Sequence, residues 1–426
     1  MLTTADLRLG PTKAVAAEPT TSAVEPLPFE PGTAGAMALG RVWQGKPGTI
    51  LSSPPGGGKS TTIANIAATL AARIGLHVIV ATPTRAQAVA ITETLMAKVP
   101  YGQVELVMSN AALDAPPQVL NAKIADRDSG WVKVRTLAAL ATSRDGCDVL
   151  IVDEAYQATF ADVTAAAGGA QQLLLVGDMG QIGPVVTADT SAFERWNRSP
   201  HIPAPDMFSR RRDEFVTFSI DRTYRLGPRT VELIAPLYPF RFESHRPPQR
   251  LEDSSGPLPE VGHVNVGTAA SVNDLGMLTQ ACDRAAQLVG TVHAVKGPDG
   301  QVTRMDVGQA DVAVIAAYNT QVSFIRAALD ERGLKDVTVG TADRLQGGQW
   351  TAVVAVDPTA GATNLASHNV SPGRMCVMLS RHTSHLCWIG EDKSVWSSRL
   401  STGEVPARDR GLGVKLRTWL SKTPAL

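Results

Sequence analysis

Two α/β domains in tandem, each a parallel sheet covered by helices on both faces, are the architecture this chain predicts. Three observations carry it. Short apolar runs that do not alternate with polar residues recur between helical patterns, as strands buried on both faces require. One of those runs passes through a glycine-rich stretch, 50–62 (ILSSPPGGGKSTT), straight into a helical pattern. The length of 426 residues, 44% of them hydrophobic, is enough for two separate cores.

In chain order, residues 1–30 are rich in Ala, Pro, Thr and Glu without a lasting period, and a disordered tail is expected there. The first domain is placed at 31–213. An apolar run, 48–51, ends in Ser52 and Ser53, followed by two prolines, three glycines, Lys59 and Ser60. The helical pattern that follows runs to about residue 74 and is closed by Gly75. Strand, glycine loop and helix form the context of a phosphate-binding loop. Glycine lets backbone N–H groups turn inward around an anion, and the helix N-terminus adds partial positive charge. Lys59 then suits the β- and γ-phosphates, and Ser60 Oγ suits Mg²⁺. Ser53 departs from the pattern GxxxxGK[ST], which wants glycine there. Next come a strand at 77–82 stopped by Pro83, a helix at 85–98, a strand at 104–109, and a short apolar run at 132–134 with a helix starting near Thr136. Strands at 148–155 and 172–178 complete the first series.

The second domain is placed at 214–426, opening on a strand at 215–220 and a helix at 228–237. The stretch 243–259, rich in Pro, Ser and charge, reads as a surface loop. Strands at 263–267, 311–318, 337–341, 351–357 and 385–390 alternate with helices at 273–290, 320–332 and 373–383. A terminal helix is expected at 409–422. This series has no phosphate loop of its own, so two sheets with one loop imply one nucleotide held between two lobes.

Composition narrows the function classes. Formal net charge is zero and the pI is about 7.1, so a nucleic-acid contact must come from local clusters rather than bulk charge. Cys147, Cys282, Cys376 and Cys387 show no metal-ligand spacing and read as reduced core thiols. No apolar run reaches the roughly 18 residues of a membrane span, and the N-terminus lacks the order of a signal peptide, so a cytoplasmic protein without a membrane partner is expected.

Candidate chemistry clusters at strand ends. Asp153 and Glu154 close an apolar strand, where a doubly wound sheet opens onto its ligand crevice. Asp153 suits Mg²⁺, directly or through water, and Glu154 suits a base orienting water; alone, the pair reads equally as an acidic turn. Gln181 ends the next strand segment and can report a γ-phosphate, although a lone Gln is usually a polar turn residue. Arg225, Arg344 and Arg381 are the arginines placed to neutralise a transferring phosphoryl group, against the plainer reading of surface arginines. Phe160 and Trp131 are candidates to sit near a bound strand, with core as the weightier reading of each.

Taken in order, SPPGGGKS, TPT (82–84), DEAY (153–156), GDMGQIGP (177–184), TYRLGP (223–228), AYNTQ (317–321), TADRLQGGQ (341–349) and VMLSRH (377–382) resemble the motifs of superfamily 1 helicases. TYR-x-x-P is most similar to the Upf-like, 5′→3′ branch. The resemblance covers about residues 32 to 395. It implies two RecA-like domains with ATP between them and a single strand lying across both. Carried over by position, Pro55, Gly56, Gly57, Gly58, Lys59, Ser60 and Thr61 cradle the phosphates, with Ser60 and Asp153 on Mg²⁺. Glu154 takes the water, Gln181 senses the γ-phosphate, and Arg225 and Arg381 are arginine fingers. Gln346, Gly347 and Gln349 border the nucleotide, Gln349 replacing the family's Glu, and Tyr318 matches an aromatic that stacks on the base. Thr82, Pro83, Thr84, Thr136 and Thr341 are the implied strand contacts, which read no sequence. Ser380 and His382 depart from the family's Thr and Ala, and 29–40 lacks an adenine-reading Gln.

The expected function is therefore an ATP-dependent helicase or translocase on single-stranded nucleic acid, DNA favoured over RNA, working with replication, plasmid-transfer or defence proteins. The competing readings are a nucleotide-gated binding or scaffold ATPase without strand separation, and a small-molecule or nucleotide kinase. Lys59 and Arg381 are both expected to face a solvated cleft, so replacing either is expected to stop turnover without unfolding the chain.

Overall fold

A computed structural model describes residues 27–108, 115–143, 145–193, 195–402 and 404–426. Residues 1–26 of the expected disordered tail lie outside the described residues. The chain forms two compact units: the first runs to Asp221 without Pro54–Gly57 and Gly180–Ile182, which group with the second unit, Arg222–Leu426.

The first unit holds β1 (Gly48–Ser52), β2 (His77–Thr82), β3 (Val104–Leu106), β4 (Trp131–Thr136), β5 (Cys147–Val152), β6 (Ala170–Gly177) and β7 (Phe215–Ser219). They pair in parallel in the order β3-β4-β2-β5-β6-β1-β7. The unbroken apolar runs are explained by burial on both faces. Leu51, Val78, Val80, Val149, Ile151, Leu174 and Val176 face one cluster with Leu39, Ile63, Ile66, Leu70, Ile91 and Leu95 from the helices Ala34–Trp43, Lys59–Ile74 and Arg85–Met96. Ile50, Ile79, Ala81, Leu150, Val152, Leu173 and Leu175 face another with Leu137, Leu140, Val163 and Phe208. Each fully buried Leu, Ile or Val contributes roughly 1.5–3 kcal/mol relative to exposure. Gly75 closes the helix Lys59–Ile74 in left-handed geometry, its N–H on Ala71 O while Leu76 N–H reaches Leu70 O.

β7 corrects one expectation. The 215–220 strand does not open the second series: Gly48 to Ser52 pair with Phe215 to Ser219, so it completes the first sheet.

The second unit holds β8 (Arg222–Thr223), β9 (Glu243–Ser244), β10 (Gln249–Asp253), β11 (Gly256–Pro257), β12 (Val261–Asn265), β13 (Val292–Lys296), β14 (Val302–Asp306), β15 (Val312–Ala316), β16 (Thr338–Thr341), β17 (Trp350–Val356) and β18 (His382–Gly390). A parallel sheet runs β12-β18-β17-β15-β16. Val312, Val314, Val354 and Cys387 pack against Met277, Leu278, Ile325 and Leu329 of the helices Leu275–Leu288 and Asn319–Glu331. A separate antiparallel sheet runs β11-β10-β13-β14. The stretch read as a surface loop, 243–259, therefore contains three strands. Leu251 is its buried anchor, and the charges that suggested a loop lie on the outer face, where Glu252 pairs with Arg250 and Arg304. All four cysteines are buried, and none of them forms a disulfide. No helix among the described residues is long and apolar enough to cross a membrane.

Candidate functional site

The loop after β1 leads directly into the helix Lys59–Ile74. Gly56 (φ +71°) and Gly58 (φ +81°) take the left-handed geometry that a side chain resists, turning the chain into the helix Lys59–Ile74. Gly58 stands at the cap position and offers no side chain, so the first-turn N–H groups face the loop uncapped by the cap residue. Ser53, in the place of the pattern's first glycine, is fully buried, and its N–H donates to Gly177 O at 2.9 Å. The serine thus joins the loop to β6. Ser60 and Thr61 are exposed at the helix start.

Lys59 Nζ lies 3.2 Å from Glu154 Oε1. Burial works to lower the Lys59 pKa, but the charges of Glu154, Asp178 and Asp153 outweigh it and the net shift is upward. Asp153 closes β5 and is buried. Burial first, then the Glu154 charge, push its pKa up to about 7, against Lys59 and the Glu154 N–H, which donates to Asp153 Oδ1 at 2.8 Å. Glu154 has φ +50° and ψ +40°, the one positive φ outside glycine among the described residues. Such backbone costs about 1–3 kcal/mol and persists where its surroundings impose it. Two neighbours escaped sequence reasoning. Asp178, at the end of β6, acts on Lys59 through its charge. Tyr156 OH meets Ser52 Oγ at 3.0 Å in the core, tying the acid segment to the strand beneath the loop; burial pushes its pKa up to about 12. The strand-end position of Asp178 was a readable signal; the Tyr156 contact, across 104 residues, was not.

Among the described residues no three His, Cys, Asp or Glu side chains converge as a metal set. Ser60 and Asp153 supply a hydroxyl and a carboxylate, the hard oxygen donors Mg²⁺ takes alongside phosphate oxygens. The residues present fit that ion and a phosphate chain.

The strand-contact candidates sit at or just past the C-terminal ends of strands. Thr82 and Thr136 are register partners at the C-terminal ends of β2 and β4. Thr82 is buried and its hydroxyl donates inward to Thr84 O at 2.9 Å, so a hydroxyl contact from Thr82 to a strand is not open. Thr84, after Pro83, caps the helix Arg85–Met96 in a reciprocal pair with Gln87. Thr136 caps Leu137–Ala141 through Ala139 N–H. In the second unit Thr341 ends β16, beside Ala316 of β15.

Within the second unit, Arg225 Nε donates to Gln349 Oε1 at 2.9 Å, bringing two of the candidates together. Gln346 and Gly347 (φ +91°) form the turn between the helix Ala342–Leu345 and β17. Gln181 lies in the turn after β6. Tyr318 is half-buried, with its hydroxyl accepting from Asn369 Nδ2 at 2.5 Å and its ring edge-on to His368. A more open aromatic, Tyr224 at 53% exposure, adjoins Arg225. Arg381 corrects an expectation. It is only 1% exposed, with Nη1 on Gly348 O at 3.4 Å and Nη2 on Ser380 Oγ at 3.2 Å, so it does not face open solvent.

Two family models, each described as an AAA domain, match the chain in series over residues 37–207 and 285–393. The first takes in the phosphate loop, Asp153, Glu154 and Gln181; the second takes in Tyr318, Gln346, Gln349 and Arg381. DNA polymerase alpha-associated DNA helicase A of Schizosaccharomyces pombe (strain 972 / ATCC 24843) is 33% identical over 89 residues, 21% of this chain and 13% of that protein. The chain thus carries an AAA-domain match in each half. The chain is also similar to solved structures of low identity. One is the PRRSV helicase, 16% identical with TM-score 0.44, covering 84% of this chain and 54% of that one. Another is Arterivirus nonstructural protein 10 (helicase), 18% identical with TM-score 0.47, covering 86% and 63%. The chain spans only part of each of these proteins.

Proposed function

We propose that the protein hydrolyses ATP with Mg²⁺ to move along single-stranded nucleic acid, DNA favoured over RNA, in the 5′→3′ direction of the Upf-like branch. The observation that carries this reading is the Lys59–Glu154 pair beside Asp153 at the phosphate loop. A triphosphate in the loop competes with Glu154 for Lys59. Its arrival releases the Glu154 carboxylate, held in a strained backbone geometry, to orient water. Ser60 and Asp153 hold the metal, which neutralises phosphate charge when bound. Gln181 reports the γ-phosphate, and Arg225 and Arg381 reach it from the second RecA-like lobe, with ATP between the two. Gln349, which accepts from Arg225, keeps that guanidinium oriented. The threonine-bearing strand ends of both sheets track the nucleic acid, through backbone groups at Thr82 and through backbone and side chains at Thr84, Thr136 and Thr341. Tyr224 or Tyr318 stacks on the nucleotide base, and Tyr224 has the more accessible ring.

The test is ATP turnover measured side by side with no polymer, with single-stranded DNA and with single-stranded RNA. Stimulation by a strand, larger for DNA, is the expected result. Turnover indifferent to both polymers overturns the reading. Opening of 3′-tailed duplexes alone overturns the direction.

A further inference from the structure

The second unit contains a buried polar chain to which the roles above assign nothing. Its centre is Glu260. Oε1 accepts from Thr230 N–H at 2.8 Å and from Thr230 Oγ1 at 2.5 Å. Oε2 accepts from Arg229 N–H at 3.4 Å and lies 3.5 Å from Arg246 Nη2. A carboxylate 30 residues away thus caps the helix Pro228–Ile234, whose own cap position is Gly227 and supplies no side chain. A Cβ added at Gly227 would lie 2.1 Å from Glu260 Oε2 and 2.3 Å from Arg246 Nη2, so only glycine lets the ion pair close on the backbone there. Arg225 stands two residues ahead of that glycine.

The chain continues to the other arginine. Thr230 Oγ1 also meets His382 Nε2 at 2.8 Å, and both residues are fully buried. A hydroxyl has one proton, and the carboxylate takes it, so His382 Nε2–H is the donor. His382 directly follows Arg381. Arg246 Nη1 and Gln249 Nε2, the latter at 2.9 Å, donate to Thr383 O, the next carbonyl along. Glu260 O accepts Leu386 N–H at 2.8 Å, which fixes the carboxylate's own backbone to β18. One acid therefore holds both the helix that follows Arg225 and the residue that follows Arg381. His382 is also where this chain departs from the alanine that its resemblance implies.

We propose that Glu260, Thr230 and His382 are positioning residues that set the spacing of Arg225 and Arg381. The proposal rests on the reading of those two arginines as phosphate-facing. Reaction geometry is steep in distance, so a small shift of either guanidinium lowers turnover without touching ground-state binding.

The test uses the full chain and strand-stimulated ATP turnover, with Lys59→Ala and Arg225→Ala as references. Thr230→Val, which keeps shape and removes the hydroxyl, and His382→Ala are expected to lower kcat roughly 10- to 100-fold with KM within about two-fold. His382→Gln, whose amide N–H can reach the same hydroxyl, recovers most of the loss. Wild-type kcat in Thr230→Val, which keeps the side-chain volume and serves if His382→Ala fails to fold, overturns the proposal. Equal loss in His382→Gln and His382→Ala overturns it too, since packing alone then accounts for the effect. No wild-type turnover, or full turnover in Arg225→Ala, counts instead against the functional reading.

Discussion

Glu154 concentrates the residue-scale argument. Its backbone is held where only glycine rests comfortably, and its carboxylate is engaged by Lys59. Glu154→Gln keeps size and one acceptor but removes the proposed base. It is expected to lower ATP turnover about 10²- to 10⁴-fold while nucleotide affinity holds, as turnover and equilibrium binding of a fluorescent ATP analogue will show. Buried imidazole gives a second residue-scale prediction. His385 donates from Nδ1 to Pro259 O at 2.6 Å, and burial pulls its pKa from 6.5 down to about 4. Above 6.5 the folded and unfolded chains both hold it neutral, so its contribution is intact. Between 6.5 and about 4 the unfolded chain binds the proton first, and stability falls as pH falls. Urea midpoints from pH 7 to 4.5 are expected to fall less steeply for His385→Gln than for wild type; identical slopes contradict this. The strand, loop and helix around Lys59 and Ser60 were legible because their pattern is local, and the strand end at Asp153 because an apolar run precedes it. The burial of Arg381 and the left-handed Glu154 backbone were not, because neither leaves a mark in the local residue order.

At the scale of elements, the helix Ala407–Leu420 is fastened by one buried ion pair. Arg417 Nε and Nη2 reach Asp357 Oδ2 and Oδ1 at 2.8 and 2.6 Å, just beyond β17. Asp357 Oδ1 also accepts from Thr359 N–H and Oγ1, each at 2.8 Å, so the carboxylate is saturated. Arg417→Ala strands that charge in the interior and is expected to cost about 3–5 kcal/mol, read by chemical denaturation; a loss below about 1 kcal/mol would mean that the pair contributes no fastening. The same scale shows where element reading succeeds. Doubly buried strands such as β2 and β15 announce themselves by unbroken apolar runs. β10 and β14 do not: β10 (QRLED) buries only Leu251 and is flanked by Pro247, Pro248, Ser254 and Ser255, and β14 (VTRMD) is exposed at every position. The partner of β7 was equally hidden: a parallel strand pairs across more than a hundred residues, and nothing local in 215–220 names β1.

For the whole molecule, zero formal net charge leaves function to local constellations, and those fall into two units in series, each matched by an AAA-domain model. The phosphate loop belongs to one sheet and the arginines to segments that accompany the other. The proposed activity therefore requires both. The most direct test is single-strand-stimulated ATP turnover of Arg225→Ala and of Arg381→Lys, the latter keeping charge at a buried site but losing the guanidinium fork. Circular dichroism will check that each variant is folded. The expected result is loss of stimulated turnover in both, with nucleotide binding through Lys59 retained. Folded variants that turn over ATP at the wild-type rate would contradict the account.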